Sequence, residues 1–115
     1  TVENNIHAGA KYMRFLADRY FGDEGVDDLN QWLLSLAAYN AGPARVASMR
    51  REAEKGGYDP DRWFDNVEVI AAQKIGRETV TYVSNIFKYY VGYQIINQRQ
   101  DLRDQRHGDT LGECI

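Results

Sequence analysis

The sequence is poor in the residues that usually disclose a chemistry. Its single cysteine, Cys114, stands one residue from the end, so it can form no internal disulfide and anchors no Cys–His nucleophile pair. The two histidines, His7 and His107, are far apart, with no cysteine or carboxylate at metal-ligand spacing, and both read as surface histidines. No Ser–His–Asp set can be nominated. Period-two alternation is absent and prolines number two, so no strand-to-helix glycine loop exists to cradle a phosphate. No metal and no cofactor is expected. The longest uncharged stretch, Leu29 to Pro43, contains Asn30, Gln31, Ser35 and Asn40 and is too short and too polar to cross a bilayer. The N-terminus has neither a basic start nor an apolar run, so no signal peptide is visible.

Basic excess is lacking as well. A net charge of −3 and an isoelectric point near 5.3 argue against nucleic acid as a partner, because phosphate binding needs clustered Lys and Arg. The Arg50-Arg51 pair and the series Arg99, Arg103, Arg106 are interleaved with acids and read as solvated helix faces.

What is present is helical periodicity. With 43% hydrophobic and 27% charged residues, 115 residues make one domain or part of one. Ile6, Ala10, Met13, Leu16 and Tyr20 recur at helical spacing behind Asn4 or Asn5 as a cap, predicting a first helix to about Tyr20. Asp27 or Asp28 can cap a second helix, which from Trp32 to Tyr39 is apolar on nearly every side and so belongs inside a bundle. Pro43 opens a third helix to about Glu54, closed by Gly56-Gly57. Tyr58 to Asn66 has a loop composition yet carries Tyr58, Trp63 and Phe64, which either fold over the core or wall a groove. Asn66 can cap a short helix over Val67 to Ile75, and a last helix opens near Arg77 and runs past Gln98. That helix carries two apolar stripes, Val83-Phe87-Tyr90 and Tyr82-Ile86-Tyr89-Tyr93. Residues 1–100 are thus expected to form the folded part, and 101–115 a polar tail that frays or is pinned by a neighbour.

The most informative stretch is Leu36-Ala37-Ala38-Tyr39-Asn40-Ala41-Gly42-Pro43. Small residues admit other backbone, Tyr39 and Asn40 place a hydroxyl and an amide near the helix end, and Gly42-Pro43 closes one helix and opens the next. Such a corner can hold a ligand or merely turn the chain. Among the acids, Glu78 stands at a helix start beside the aromatic stripe, where it can either favour the helix dipole or move a proton.

Three segments together carry a resemblance: Asn5-Ile6-His7-Ala8-Gly9 through Tyr12-Met13, the Leu36–Pro43 string, and Glu78-Thr79-Val80-Thr81-Tyr82-Val83. In order and spacing they resemble the second half of the lytic murein transglycosylase (SLT) domain, within the goose-type lysozyme and SLT superfamily, over roughly residues 3 to 93. The Tyr-rich Tyr82-to-Ile96 helix is most like that of the membrane-bound transglycosylase F type. The resemblance implies an all-α, lysozyme-like helical bundle, present here as a partial domain. It also implies cleavage of the MurNAc–GlcNAc β-1,4 bond of peptidoglycan without water as nucleophile, the muramyl residue closing to a 1,6-anhydro ring. One glutamic acid protonates the leaving oxygen and then, as carboxylate, takes the proton of the attacking hydroxyl, a role that needs a raised pKa.

The family's Glu-Ser and Gly-Leu-Met-Gln motifs, which precede its NIxxG helix, are missing from this chain, and Glu3 is not that acid. No catalytic acid is carried over, and the isolated chain is expected to be inactive. What carries over is Tyr39, whose hydroxyl supports the catalytic carboxyl in the family, with Ala38 and Asn40 lining the sugar groove and Glu78 and Tyr82 as a second groove-side pair. Val80 stands where many members have Arg, which removes an anion contact there. Peptidoglycan strands are the implied partner and the bacterial cell envelope, periplasmic or outer-membrane-associated, the implied location. Two rival readings remain: a glycan-binding or scaffold module that does not cut, and a helical interaction module. If the missing half leaves the Trp32–Tyr39 helix and the last helix bare, self-association through those apolar faces is expected.

Overall fold

The computed structural model describes the backbone of residues 2–113 and the side chains of residues 8–105. Among these residues there is no strand, and the architecture is all-α: α1 (Val2–Tyr20), α2 (Asp28–Ala41), α3 (Pro43–Lys55), α4 (Glu68–Lys74) and α5 (Arg77–Glu113). The chain divides into two compact units, Thr1–Ser84 and Asn85–Ile115.

In the first unit α2 packs against α1 and α3 and against an irregular turn, Trp63–Val67, that precedes α4. The all-round apolar character of α2 has the expected consequence. Leu33, Leu34, Ser35, Leu36, Ala37 and Ala38 are all buried by this chain's own helices, while Leu29 and Tyr39 stay 44% and 46% exposed and Trp32 is half-buried. Val46 and Met49 of α3, Val67, Ala71 of α4 and Val83 of α5 complete the core.

Local chemistry explains where the helices begin. Asp27 caps α2, its carboxylate accepting the Asn30 backbone N–H at 2.8 Å and the Asn30 amide at 2.9 Å. Those two hydrogen bonds, the backbone one foremost, hold the Asp27 carboxyl below the ordinary carboxylate range. Asn30 in turn accepts the Trp63 backbone N–H at 2.9 Å, tying the irregular turn to the start of α2. Two expected caps are corrected. α1 is already helical at Val2, so Asn4 and Asn5 lie inside it. Asn66 does not cap α4: its amide donates to the Phe64 carbonyl at 2.9 Å and its oxygen accepts from Asp59 N–H at 2.9 Å, while Glu68 Oε1 accepts from Asp65 N–H at 3.3 Å. Of the aromatics in Tyr58–Asn66, Trp63 lies in the core at 0% exposure, while Tyr58 and Phe64 are half-buried.

Arg50 is likewise no solvated surface residue. Its Nε donates to the Pro60 carbonyl at 2.8 Å and its Nη2 to Asp61 Oδ1 at 2.9 Å, while the guanidinium carbon lies 5.6 Å from the centroid of the Phe21 ring. It thereby fastens α3 to the end of α1 and to the loop before the Trp63 turn.

Gly42 joins α2 to α3. Its N–H closes α2 on the Ala38 carbonyl at 2.7 Å and Pro43 follows at the first position of α3. Its φ of 98° and ψ of 142° are extended rather than left-handed helical, a region that only glycine enters without strain. A methyl group there meets nothing within 4 Å among the described residues, so the penalty of Gly42→Ala is one of backbone alone. It is expected to cost about 1–3 kcal/mol in urea denaturation. An unchanged midpoint would contradict this backbone assignment.

The second unit is the body of α5. The helix runs to Glu113, through the polar stretch expected to fray or be pinned. Helix formers and an i,i+4 contact, Gln100 Nε2 to Asp104 Oδ1 at 3.3 Å, sustain it without an apolar period. Within this unit Tyr89, Tyr93 and Ile96 are 77%, 63% and 65% exposed.

Candidate glycan-groove site

The last residues of α2 and the first two turns of α5 supply the site. α2 ends abruptly at Gly42, so the side chains just before the break are carried on a rigid, buried helix yet emerge at its tip. Ala38 is 1% exposed, and the next two residues, Tyr39 and Asn40, are exposed. The Tyr39 ring packs against Tyr12 of α1, ring centroids 5.8 Å apart and tilted by 59°. Tyr12 continues to Phe15 at 6.2 Å and Phe15 to Tyr20 at 6.3 Å, so a ledge of half-exposed rings runs along α1 from the tip of α2. Gly9 of α1 faces the Tyr39 hydroxyl: a Cβ on Gly9 would stand 3.7 Å from that oxygen, so the absent side chain leaves the phenol room.

From α5, Thr79 reaches Asn40, its hydroxyl donating to Asn40 Oδ1 at 2.7 Å. Tyr82 lies half-buried beside them. Burial pushes its phenol above the ordinary tyrosine range, and the nearby Tyr39 adds to the shift. The Tyr82 phenol is therefore neutral at ordinary pH and able to donate and accept. Glu78 is exposed in the first turn of α5, one helical turn before Tyr82. Val80 faces a different groove, lined also by Ala72, Gln73 and Arg77 between α4 and α5.

The structure thus brings together Tyr39, Asn40 and Tyr82, leaves Glu78 exposed at the α5 start, and buries Ala38. Two participants were not anticipated. Thr79 lies between the nominated Glu78 and Tyr82, but its pairing with a residue 39 positions earlier leaves no periodic trace. Tyr12 is four residues from Leu16 and reads as helix face; its ring contact with Tyr39 is visible only once α1 and α2 are packed. Among the described residues no group of three His, Cys, Asp or Glu could hold a metal ion, and no helix is long and apolar enough to cross a membrane.

Comparison with known proteins adds three findings. The family model for the transglycosylase SLT domain matches residues 1–61. The chain is 36% identical over 102 residues to a membrane-bound lytic murein transglycosylase F of Marinobacter nauticus, covering 77% of this chain and 20% of that protein. It is 37% identical over 102 residues to one of Shewanella woodyi, with 77% and 21% covered, and 31% identical over 116 residues to one of Pseudomonas fluorescens, with 90% and 24% covered. The chain therefore spans about a fifth to a quarter of the length of these curated relatives. No solved structure matches it.

Proposed function

The chain belongs to the transglycosylase SLT domain family, whose fold is all-α and lysozyme-like, and from that membership we propose that it supplies the substrate-groove half of a peptidoglycan lytic transglycosylase. The observation that carries the reading is the convergence of Tyr39 and Asn40 at the tip of α2 with Thr79 and Tyr82 of α5. That convergence offers what an amino sugar needs: amide hydrogens, phenol hydroxyls and an exposed ring edge for the apolar face of a pyranose.

In this reading the glycan lies over the α2 tip, with Tyr39, Asn40, Glu78 and Tyr82 as its contacts and the Ala38 backbone beneath them. The proton that cleaves the MurNAc–GlcNAc bond comes from a carboxyl outside this chain, because no Glu-Ser motif is present. That carboxyl protonates the leaving glycosidic oxygen, then takes the proton of the muramyl 6-hydroxyl as it attacks C1, giving the 1,6-anhydro product. Tyr39 accepts a hydrogen bond from the neutral carboxyl and so helps keep it protonated at neutral pH. The substrate places the protein in the bacterial cell envelope, in keeping with relatives named as membrane-bound.

The test is a chimera in which this chain replaces the matched stretch of the Marinobacter nauticus relative. The chimera is expected to release anhydro-muropeptides from purified sacculi, and the 115-residue chain alone to release none. Release by the chain alone would overturn the assignment of the acid to another segment. A folded chimera that binds glycan but never cuts would favour a non-catalytic binding module instead.

A further inference from the structure

One side-chain contact joins the end of α2 to the start of α5, and its polarity limits what Asn40 can recognise. Thr79 Oγ1 donates to Asn40 Oδ1 at 2.7 Å. Thr79 is 5% exposed, whereas Asn40 is exposed. A hydroxyl so buried needs an acceptor for its proton, and the Asn40 carbonyl provides it. Turning the amide over would set an N–H₂ group against the hydroxyl and take that acceptor away. The carbonyl oxygen therefore faces Thr79, and the two Nδ2 hydrogens point away from it on an exposed side chain.

We infer that Thr79 is a positioning residue that makes Asn40 a donor-only contact, selective for the N-acetyl carbonyl of a sugar over the free amine of its de-N-acetylated form. The inference rests on the glycan-groove reading and gives it a direction. An acetamido carbonyl can only accept, and it meets two hydrogens already aimed outward. A sugar hydroxyl, which donates or accepts, gains no discrimination from a fixed amide. The ammonium group of glucosamine can only donate, and it meets hydrogens where it needs an oxygen. Without Thr79 the amide is free to turn and offer either end, so affinity and selectivity fall together. Thr79 touches no substrate itself; its whole effect passes through the orientation of Asn40.

The experiment uses the 115-residue chain with ¹⁵N-labelled asparagine, following the Asn40 side-chain amide by NMR. The probes are the tetramer of N-acetylglucosamine and the tetramer of glucosamine. In the wild type the Asn40 Nδ2 signals are expected to be ordered, to shift with the acetylated tetramer and to stay put with the glucosamine tetramer. Thr79→Val keeps the shape of the side chain but lacks the hydroxyl. It is expected to lower the order of the amide and to weaken binding of the acetylated tetramer about fivefold to tenfold, the loss of one hydrogen bond. Thr79→Ser restores both. Asn40→Asp keeps an acceptor for Thr79 and loses the donors, and it is expected to weaken binding at least as much as Thr79→Val, with thermal unfolding confirming that each variant is folded. Wild-type amide order and affinity in folded Thr79→Val would overturn the role of Thr79 and leave the groove reading standing, as would equal binding of the two tetramers. If neither tetramer moved any signal of Tyr39, Asn40 or Tyr82, the groove reading itself would fall and this inference with it.

Discussion

Replacing Trp63 with alanine is expected to remove about 3–5 kcal/mol of folding stability, which is much of what a domain of this size possesses. The indole is 0% exposed and lies where the irregular turn before α4 meets α2 and α3. Its backbone N–H is held by Asn30, and Asn30 by the Asp27 cap, so the side chain is locked in place from the start of α2. Such a site cannot collapse easily around a missing ring, and the cavity adds to the lost transfer energy. Trp63→Phe should cost distinctly less. The Trp63 Nε1–H is buried with no hydrogen-bond partner among the described residues, a penalty of about 1–3 kcal/mol that phenylalanine does not carry, and this offsets part of its smaller area. Urea denaturation followed by the fluorescence of the remaining Trp32, which reports on the first unit, separates the variants. An alanine variant within about 1 kcal/mol of the wild type would mean that Trp63 is not an anchor of the core.

How much of this was legible beforehand depended on how local the cause is. Gly42-Pro43, the Asp27 cap, Gly56 and Gly76 mark helix ends through the backbone of one or two residues, and each boundary appears where the local chemistry puts it. Asn66 failed as a cap because its amide found competing partners, Asp59 and Phe64, only a few residues away, as such side chains do outside helices. Arg50 looked solvated because charge is normally outside; its burial depends on Phe21, Pro60 and Asp61 arriving from two other segments. The core-facing side of α2 is covered for a related reason, while Leu29, Trp32 and Tyr39 stay partly exposed. A helix greasy all round states that it is covered, but not by what, and here this chain's own α1, α3 and Trp63 turn do the covering.

The site divides along the same line. Tyr39 and Asn40 announce themselves in one short string, and Glu78 with Tyr82 in another. What no string contains is the contact between the two, Thr79 with Asn40 and Tyr39 beside Tyr82. Those pairings need α2 to stop at Gly42 and α5 to start at Arg77 in the same neighbourhood. A one-residue change in either end would put a different side chain at the tip, since neighbouring residues on a helix are turned by roughly 100°.

Within the active chimera, Tyr39→Phe is expected to lower kcat about tenfold to a hundredfold, to change KM little, and to move the basic limb of the kcat–pH profile to lower pH. The sign follows from which form the phenol supports. On the proposed function Tyr39 accepts from the protonated carboxyl, which stabilises the neutral acid and raises its pKa. Without the hydroxyl the acid loses its proton at lower pH, so the fraction able to protonate the leaving oxygen falls earlier as pH rises. The ring remains, and with it the packing on Tyr12, so folding and glycan contact are largely kept. Asn40→Ala should behave in the opposite way, raising KM while leaving the limb in place, because it removes a contact to the sugar and none to the acid. The pair of variants therefore distinguishes tuning from binding. A Tyr39→Phe enzyme with the wild-type limb and a raised KM would leave Tyr39 a sugar contact only and would remove it from the proton's path.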